Sequence, residues 1–318
     1  MKIGSVWMAY ESSPMFCKDV SSKRREAVRT IWNEFAQSCW SKPVKSLTSE
    51  MVADWLRNRC EGRSNKTYDD YLRIIRQVLN AVLSKTGLHV NPANEVPVKR
   101  KNSISRKPYT RDDIEKILAT MERGVEIAYR YKTHGKTVTV MRPYTIPYVK
   151  EVRLSILLGA YCGMRLGDAV AVERGMWDGQ FLKFTPAKTE GSSGKEVTVP
   201  VFDSRLVDAL EACDGLLTPN LLAWHGHNKS TLSRLYHRVF EACGFSTRLE
   251  CEGRRNASIG GFYALRHSYI TLCAEAGADM DVVKDVVGHT SRKTTEIYLH
   301  ISAKRKAAEL SKIMLKTT

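Results

Sequence analysis

Apolar residues recur every three or four positions in the N-terminal part of the chain, which is the spacing of helices that bury one face. This spacing is found over 21–40, after the cap-like Thr48, and over about Asn65–Lys85. Gly87 follows the third segment and can end it in the left-handed conformation. The pattern predicts a small, all-helical domain over 21–97.

The segments on either side of this helical domain carry different patterns. Residues 1–20 are short and mixed, and no element is predicted there. Residues 98–109, VKRKNSISRKPY, are basic and polar, which is typical of a linker. Thr110 followed by Asp113 is the spacing of a capping box. We therefore predict that a second domain starts at Thr110 and extends over 110–318.

This second domain mixes helical and β-type spacing. Val152–Gly163 reads as an apolar helix, and further helices are predicted over Ser204–Ala212 and Ser230–Cys243. Phe181–Phe184 and Glu196–Val201 alternate apolar and polar residues, which predicts two short strands of a hairpin. The expected fold class is mainly α with a small β-hairpin or sheet, an α+β arrangement.

The charge of the chain points to a polyanionic partner. Among 318 residues there are 50 Lys and Arg against 34 Asp and Glu, a net charge of +16. No apolar run is long enough to span a bilayer and no N-terminal signal is present, so nucleic acid is favoured over a membrane. The eight cysteines form no C-x-x-C pair, which predicts free thiols in a reducing cytoplasm and no structural metal.

Residues 261–300 bring together side chains suited to chemistry on a phosphodiester. Arg266 lies in a predicted helix, His289 follows a helix stop at Gly288, and Tyr298 comes shortly afterwards. A tyrosine needs activation to attack at neutral pH, because its ordinary pKa is about 10. Arginine can neutralise the phosphate oxygens and histidine can handle a proton. The joint pattern therefore suggests a nucleophilic site.

The same residues carry a family resemblance. GHTSRKTTEIY, over 288–298, resembles the C-terminal signature of tyrosine recombinases of the phage integrase family, and ALRH resembles their second arginine motif. Upstream, LGAYCGMRLGDAVAVE over 158–173 matches the first arginine motif. Lys188, in FTPAKTEGSSGKEVTVP, lies where the family has a lysine in a hairpin. Four motifs in this order over about half the chain are a specific signal.

This resemblance implies a fold, a reaction and partners. The implied layout is a helical core-binding domain followed by a mixed catalytic domain, acting on double-stranded DNA as a homo-oligomer in a tetrameric synapse, with room for accessory DNA-bending proteins. Neither metal nor nucleotide cofactor is implied, since a 3′-phosphotyrosyl link conserves the phosphodiester energy. The implied site residues are the nucleophile Tyr298, the phosphate clamp Arg165 and Arg266, the acid Lys188, His289, and Asp168 as an orienting group.

Two features depart from the family pattern. The second arginine motif usually reads H-x-x-R, and here Tyr263 takes the place of the histidine. A phenol can donate a hydrogen bond to phosphate but is a poor proton acceptor. Residues 129–147 resist assignment beyond a short strand at Thr137–Val140 after a turn at Gly135. Because the family's connection is usually shorter, we interpret 129–147 as an insertion.

Several functions fit the resemblance. The leading hypothesis is a site-specific recombinase or integrase of a phage or other mobile element. A Xer-like recombinase that resolves chromosome or plasmid dimers has a similar layout. A DNA-binding protein that has lost catalysis is a third hypothesis, against which the presence of all the motifs argues. A type IB topoisomerase shares the chemistry and would relax plasmids that lack a specific site.

Overall fold

A computed structural model describes residues 1–16, 21–99, 106–190, 194–251 and 256–288, without the side chain of Arg130. The chain divides into two compact units. The first contains Met1–Ile104 and Glu250–Asn256, and the second contains Ser105–Leu249 and Ala257–Thr318. Each unit has its own hydrophobic core.

The first unit is a helical bundle. Its helices are α1 (Val6–Glu11), α2 (Ser22–Gln37), α3 (Ser49–Arg59) and α4 (Asn65–Thr86), with short 3₁₀ turns at Ile3–Ser5, Val44–Ser46 and Pro92–Asn94. The Thr48 side chain accepts a hydrogen bond from the Met51 N–H, and Gly87 ends α4 at φ +71°. These local signals behave as the sequence predicts, because caps depend only on neighbouring residues.

The N-terminal segment is more ordered than its sequence suggested. Ile3, Val6, Trp7 and Tyr10 are buried in the core of the first unit. They are spaced at i, i+3, i+4 and i+7, which is a helical stripe that went unassigned because it is so short. The Gln77 amide also donates to the Tyr10 hydroxyl at 2.6 Å.

Some basic residues of the first unit are used within the bundle itself. Arg59 forms a two-pronged ion pair with Glu34, at 2.8 and 3.2 Å. Arg76 donates to the backbone carbonyls of Ala93 and Val96. These two arginines stabilise the bundle, whereas Arg63 and Lys66 are exposed.

The second unit combines helices with three two-stranded antiparallel sheets. Its first half contains α5 (Arg111–Arg123), β1 (Val125–Thr133), β2 (Lys136–Tyr144), α6 (Val149–Tyr161), α7 (Leu166–Ala169), a 3₁₀ turn at Arg174–Met176, β3 (Phe181–Phe184) and β4 (Val197–Pro200). Its second half contains α8 (Ser204–Ala212), α9 (Pro219–His227), α10 (Lys229–Ala242), β5 (Arg248–Leu249), β6 (Ala257–Ser258), α11 (Phe262–Ala276) and α12 (Met280–Val286). The mainly α class with small β-hairpins is confirmed.

Thr110 begins this unit's first helix with a complete capping box. Its hydroxyl accepts from the Asp113 N–H at 3.1 Å, and the Asp113 carboxylate accepts from the Thr110 N–H at 2.9 Å. The core lies around α6, which packs against α11. Gly159 permits this close approach, since a methyl group there would lie 3.0 Å from side-chain atoms of both Leu265 and Phe262.

The segment 129–147 forms most of a long hairpin rather than a short strand. Strands β1 and β2 pair over their full lengths, from Val125 opposite Tyr144 to Thr133 opposite Lys136. The strand prediction at Thr137–Val140 was therefore too short. Alternating apolar positions in β1 could have revealed it, but its turn, His134–Gly135, lacks the Asn-Gly or Asp-Gly pair that usually marks a tight hairpin.

Candidate functional site

Arg266 is a buried guanidinium held by backbone carbonyls. It lies on α11, and its residue is only 8% exposed. Its Nη1 donates to the Gly163 carbonyl at 2.8 Å, and its Nη2 donates to the Val287 carbonyl. These contacts join three separate parts of the chain. They also fix the direction in which the remaining face of the guanidinium points.

Arg165 lies at the same place, shortly after the end of the helix that the sequence predicted over Val152–Gly163. Helix α6 ends at Tyr161, Gly163 adopts φ +63°, and Arg165 is the extended N-cap residue of α7. This turn requires a glycine, because a methyl group at position 163 would lie 2.6 Å from the Tyr269 ring. The Arg165 Nη2 donates to the Gly288 carbonyl at 3.4 Å.

Asp168 links Arg165 to the β3–β4 connection. Its Oδ2 lies 3.8 Å from the Arg165 Nη1, and its Oδ1 accepts from the Ala187 N–H at 3.1 Å. Burial raises the pKa of the Asp168 carboxyl, while the Ala187 N–H and the charges of Arg165 and Arg266 act against that rise. Asp168 can therefore orient both an arginine and the backbone next to Lys188.

Lys188 lies on a turn after β3, and its side chain is exposed. Its backbone neighbour Ala187 is tied to Asp168, but the described contacts do not bring the Lys188 ammonium to the arginines. The β3–β4 connection that carries Lys188 therefore lies beside the arginine pair, and the Lys188 side chain is exposed there.

Tyr263 lies on α11 one turn before Arg266, yet the two side chains differ in exposure. Tyr263 is 45% exposed, whereas Arg266 is buried. The guanidinium carbon of Arg106 lies 5.3 Å from the centre of the Tyr263 ring, within cation–π range. Tyr263 takes the position of the family's histidine. The guanidinium of Arg106, which the sequence analysis placed in the basic linker, covers one face of its ring.

His267, which directly follows Arg266 on α11, belongs to the same neighbourhood but is not part of the predicted site. Burial, together with the nearby charges of Arg106 and Arg266, lowers the pKa of His267 to about 4. The imidazole is therefore neutral at physiological pH.

A pocket lies between the two arginines. It is a narrow cleft with a free volume of about 10 Å³. It is lined by Cys162, Gly163, Met164, Arg165, Asp168, Phe184, Pro186, Val197, Val199, Arg266, Val286 and Val287. Two guanidinium groups on apolar walls suit an anion such as a phosphate, because planar N–H donors match its oxygens and little water competes.

His289 and Tyr298 lie outside the described residues. The last described residue is Gly288, whose φ of +63° follows α12 as the predicted helix stop. The carbonyls of Val287 and Gly288 are the ones that receive Arg266 and Arg165. The chain is thus held at both arginines immediately before His289.

Two neighbours of the site were not predicted from the sequence. Arg106 lies over Tyr263, and His225 on α9 lies 3.3 Å from where a methyl group on Gly167 would be. Burial lowers the pKa of His225, and the nearby Asp168 charge opposes that shift. Nothing in the local sequence marks either residue, because each comes near the site only through the fold.

The C-terminal part of the chain matches the model of a known protein family. The model of the phage integrase family matches residues 110–305, which is more than half of the chain. The chain belongs to the phage integrase family. The resemblance inferred from the motifs is confirmed.

Curated relatives are more distant. A tyrosine recombinase of Pseudothermotoga lettingae is 25% identical over 171 residues, covering 51% of this chain and 53% of that protein. The tyrosine recombinase XerD of Listeria innocua is 21% identical over 255 residues, covering 78% of this chain and 75% of that protein. The chain spans about half the length of the first of these relatives.

Solved structures show the same fold at low identity. A lambda integrase dimer bound to a COC′ core site has a TM-score of 0.64 at 15% identity, covering 94% of this chain and 95% of that one. The Tn1549 transposon integrase in complex with transposon right end DNA has a TM-score of 0.65 at 13% identity, covering 98% of this chain and 100% of that one.

Within the described ranges, no helix combines the length and the apolar composition needed to cross a bilayer.

Proposed function

We propose that this protein is a site-specific DNA recombinase of a phage or other mobile element, which cleaves and rejoins duplex DNA through a 3′-phosphotyrosyl intermediate. Family membership supports a recombinase. The net charge of +16 suits a polyanionic substrate. The similar solved structures, which are lambda integrase bound to DNA as a dimer and as a tetramer on a Holliday junction, support the same partner and a homo-oligomer.

The observation that carries the proposal is the convergence of Arg165 and Arg266 on one pocket. They come from motifs about a hundred residues apart, and both donate to carbonyls of the two residues that precede His289. A phosphate in this pocket would meet two guanidinium groups whose orientation is fixed before the substrate arrives. Preoriented positive charge is the main requirement for stabilising a pentavalent phosphorus transition state.

The roles we propose combine this placement of the two arginines with what the family resemblance implies for the other residues. Tyr298 attacks the scissile phosphorus, the phosphotyrosyl bond forms, and the bond to the 5′ oxygen breaks. Arg165 and Arg266 hold the non-bridging oxygens. Lys188, on an exposed turn, delivers the proton to the leaving 5′ oxygen. His289 either hydrogen-bonds the phosphate or assists the proton traffic by accepting the phenolic proton that Tyr298 releases as it attacks. Asp168 keeps Arg165 and the backbone next to Lys188 in place.

The decisive test is covalent trapping with Tyr298→Phe. A nicked duplex carrying the recombination site, mapped from the junctions beside the gene, should give wild-type protein a denaturant-resistant adduct with a free 5′-hydroxyl on the released strand. The Phe variant should bind the duplex and form no adduct. Tyr148 is an exposed tyrosine whose ring meets the Trp224 ring edge to face. Tyr148→Phe is therefore the matched control and should trap normally. A persistent adduct in the Tyr298→Phe protein would exclude this nucleophile.

A Xer-like function is the second candidate. It is favoured by the match to the XerD protein of Listeria innocua over 78% of this chain. The two functions differ in their substrates inside the cell. If the protein resolves dimers, deletion of its gene should cause multimers to accumulate. If it serves a mobile element, deletion should leave multimers unchanged and abolish the element's circular or integrated junctions.

A further inference from the structure

The β1–β2 hairpin is anchored at its base and projects from the second unit. At the base, Val125 is buried in the core, and the Arg238 guanidinium on α10 lies 5.2 Å from the Tyr144 ring centre. Beyond this point the side chains of both strands are largely exposed. The hairpin is therefore held at one end and free along most of its length.

The hairpin is long and regular. Each strand has nine residues. At a rise of about 3.3 Å per residue this corresponds to a ribbon roughly 30 Å long. His134 and Gly135 form the turn with φ +46° and +74°. Two consecutive positive φ values are the signature of a type I′ turn, whose twist matches that of the strands. The ribbon is thus a preorganised element.

One face of this ribbon is apolar and aromatic. The β1 residues Tyr129 and Tyr131 lie opposite Val140 and Val138. The two tyrosines are 48% and 40% exposed. Arg142 lies on the same face, with its guanidinium carbon 4.8 Å from the Tyr129 ring centre. A two-stranded ribbon cannot bury such a face by itself, so the exposed aromatic residues indicate a contact partner.

The tip of the ribbon is positively charged on both faces. Lys136 pairs with Thr133 and lies on the tyrosine face, while Lys132 pairs with Thr137 and lies on the opposite face. Among the described side chains, no ion pair engages either lysine. Glu126, near the base, is the one acidic residue of the two strands, against the four basic residues Arg130, Lys132, Lys136 and Arg142. The ribbon therefore complements a polyanion.

We propose that the β1–β2 hairpin is a DNA-contacting arm that lies in a groove of the duplex next to the site of strand exchange. A two-stranded ribbon fits a major groove about 12 Å wide. Lysines on opposite faces of the tip can then reach phosphates on both walls, and the tyrosine face packs against the sugars. This inference rests on the proposed function, since it takes duplex DNA to be the substrate.

The test compares single charge substitutions by their effect on salt-dependent DNA binding. Full-length Lys132→Gln and Lys136→Gln are titrated against a 40-base-pair duplex of arbitrary sequence at a series of NaCl concentrations. Each lost phosphate contact should reduce the log–log salt slope by about 0.9 and weaken binding several-fold near 0.1 M salt. Glu126→Gln should have the opposite effect and strengthen binding, which unfolding of the hairpin could not produce.

Lys183→Gln is the matched control. This lysine is also exposed and its loss changes the net charge equally, but its ammonium is already paired with Asp178 at 2.6 Å. Slopes for Lys132→Gln and Lys136→Gln that equal the Lys183→Gln slope would overturn the proposal. So would unchanged DNA affinity accompanied by loss of self-association in sedimentation, because the face would then bind a second copy of the chain.

The outcome is separable from that of the proposed function. If wild-type protein forms the Tyr298 adduct while the hairpin variants bind like the control, only the hairpin proposal fails. If wild-type protein binds the duplex with the expected hairpin dependence and forms no adduct, the hairpin contacts DNA and the recombinase chemistry is wrong.

Discussion

Arg266 illustrates how a single residue can be both structural and chemical. A buried guanidinium is stable only when its N–H groups have partners, and Gly163 and Val287 supply them. Those bonds leave the side chain little rotational freedom. The guanidinium is therefore already oriented in the folded protein, before substrate binds. Because no free energy is needed to reorient it during the reaction, it can stabilise the transition state more effectively.

Tyr263 gives the sharpest prediction at the residue scale. Tyr263→Phe keeps a ring under Arg106 and removes only the hydroxyl, so single-turnover cleavage should slow by at most roughly 10²–10³, the value of one transition-state donor. Arg266→Ala should be slower still, because it removes a charge and empties a buried position. Tyr263→His should retain activity, since it restores the residue that the family motif usually has.

The three rates are measured with saturating DNA, so that binding does not contribute. If Tyr263→His proves as inactive as Arg266→Ala, Tyr263 does not stand in for the family histidine.

His267 gives a prediction about stability and pH. Its folded-state pKa of about 4 is below the ordinary value of about 6.5. The unfolded chain therefore binds more protons between these values, and stability falls as the pH is lowered from about 6.5 towards 4. His267→Gln should lack this contribution. When the pH is lowered from 7 to 5, the unfolding free energy of wild type should fall by roughly 1–2 kcal/mol more than that of His267→Gln.

Urea unfolding at a series of pH values measures this gain, with His89→Gln, a change at an exposed histidine, as the control. Parallel pH profiles for wild type and His267→Gln would contradict the assignment.

At the scale of elements, the close packing of α6 against α11 determines the position of Arg266, which lies on α11. Gly159→Ala would place a methyl group 3.0 Å from atoms of Leu265 and Phe262, so one helix must shift. We expect a loss of about 1–3 kcal/mol in stability, as for other overpacked cores. The gain in helix propensity, about 0.5–1 kcal/mol, is too small to offset it.

Gly226→Ala is the matched control, since a methyl group there has no neighbour within 4 Å. It should leave the melting temperature unchanged or slightly raised. Equal melting temperatures for the two variants would show that the α6–α11 contact is more adaptable than the distances imply.

At the scale of the whole molecule, the two units divide the chemistry unevenly. The described pocket with Arg165, Asp168 and Arg266 lies entirely in the second unit. The first unit has its own core and uses two of its arginines, Arg59 and Arg76, internally. The predicted domain limits at 21–97, 98–109 and 110–318 remain predictions. The excess positive charge is shared by both units and suits a long polyanion.

The sequence by itself determined most of the longer helices, several of their caps and the family motifs, but it left α1 and α9 unassigned. Thr48 and Thr110 cap helices as expected, because an N-cap contact spans only two or three residues and needs no tertiary partner. The fold class followed from the same periodicities. The order of the motifs was enough to assign the family.

Only the tertiary structure decided how these parts meet. Arg266 reaches Gly163 across about a hundred residues, Arg106 lies over Tyr263, and residues 129–147 belong to a ribbon whose outer part has no core beneath it. Such contacts depend on chain segments far apart in sequence. Their energies come from packing and burial that no local pattern of residues records.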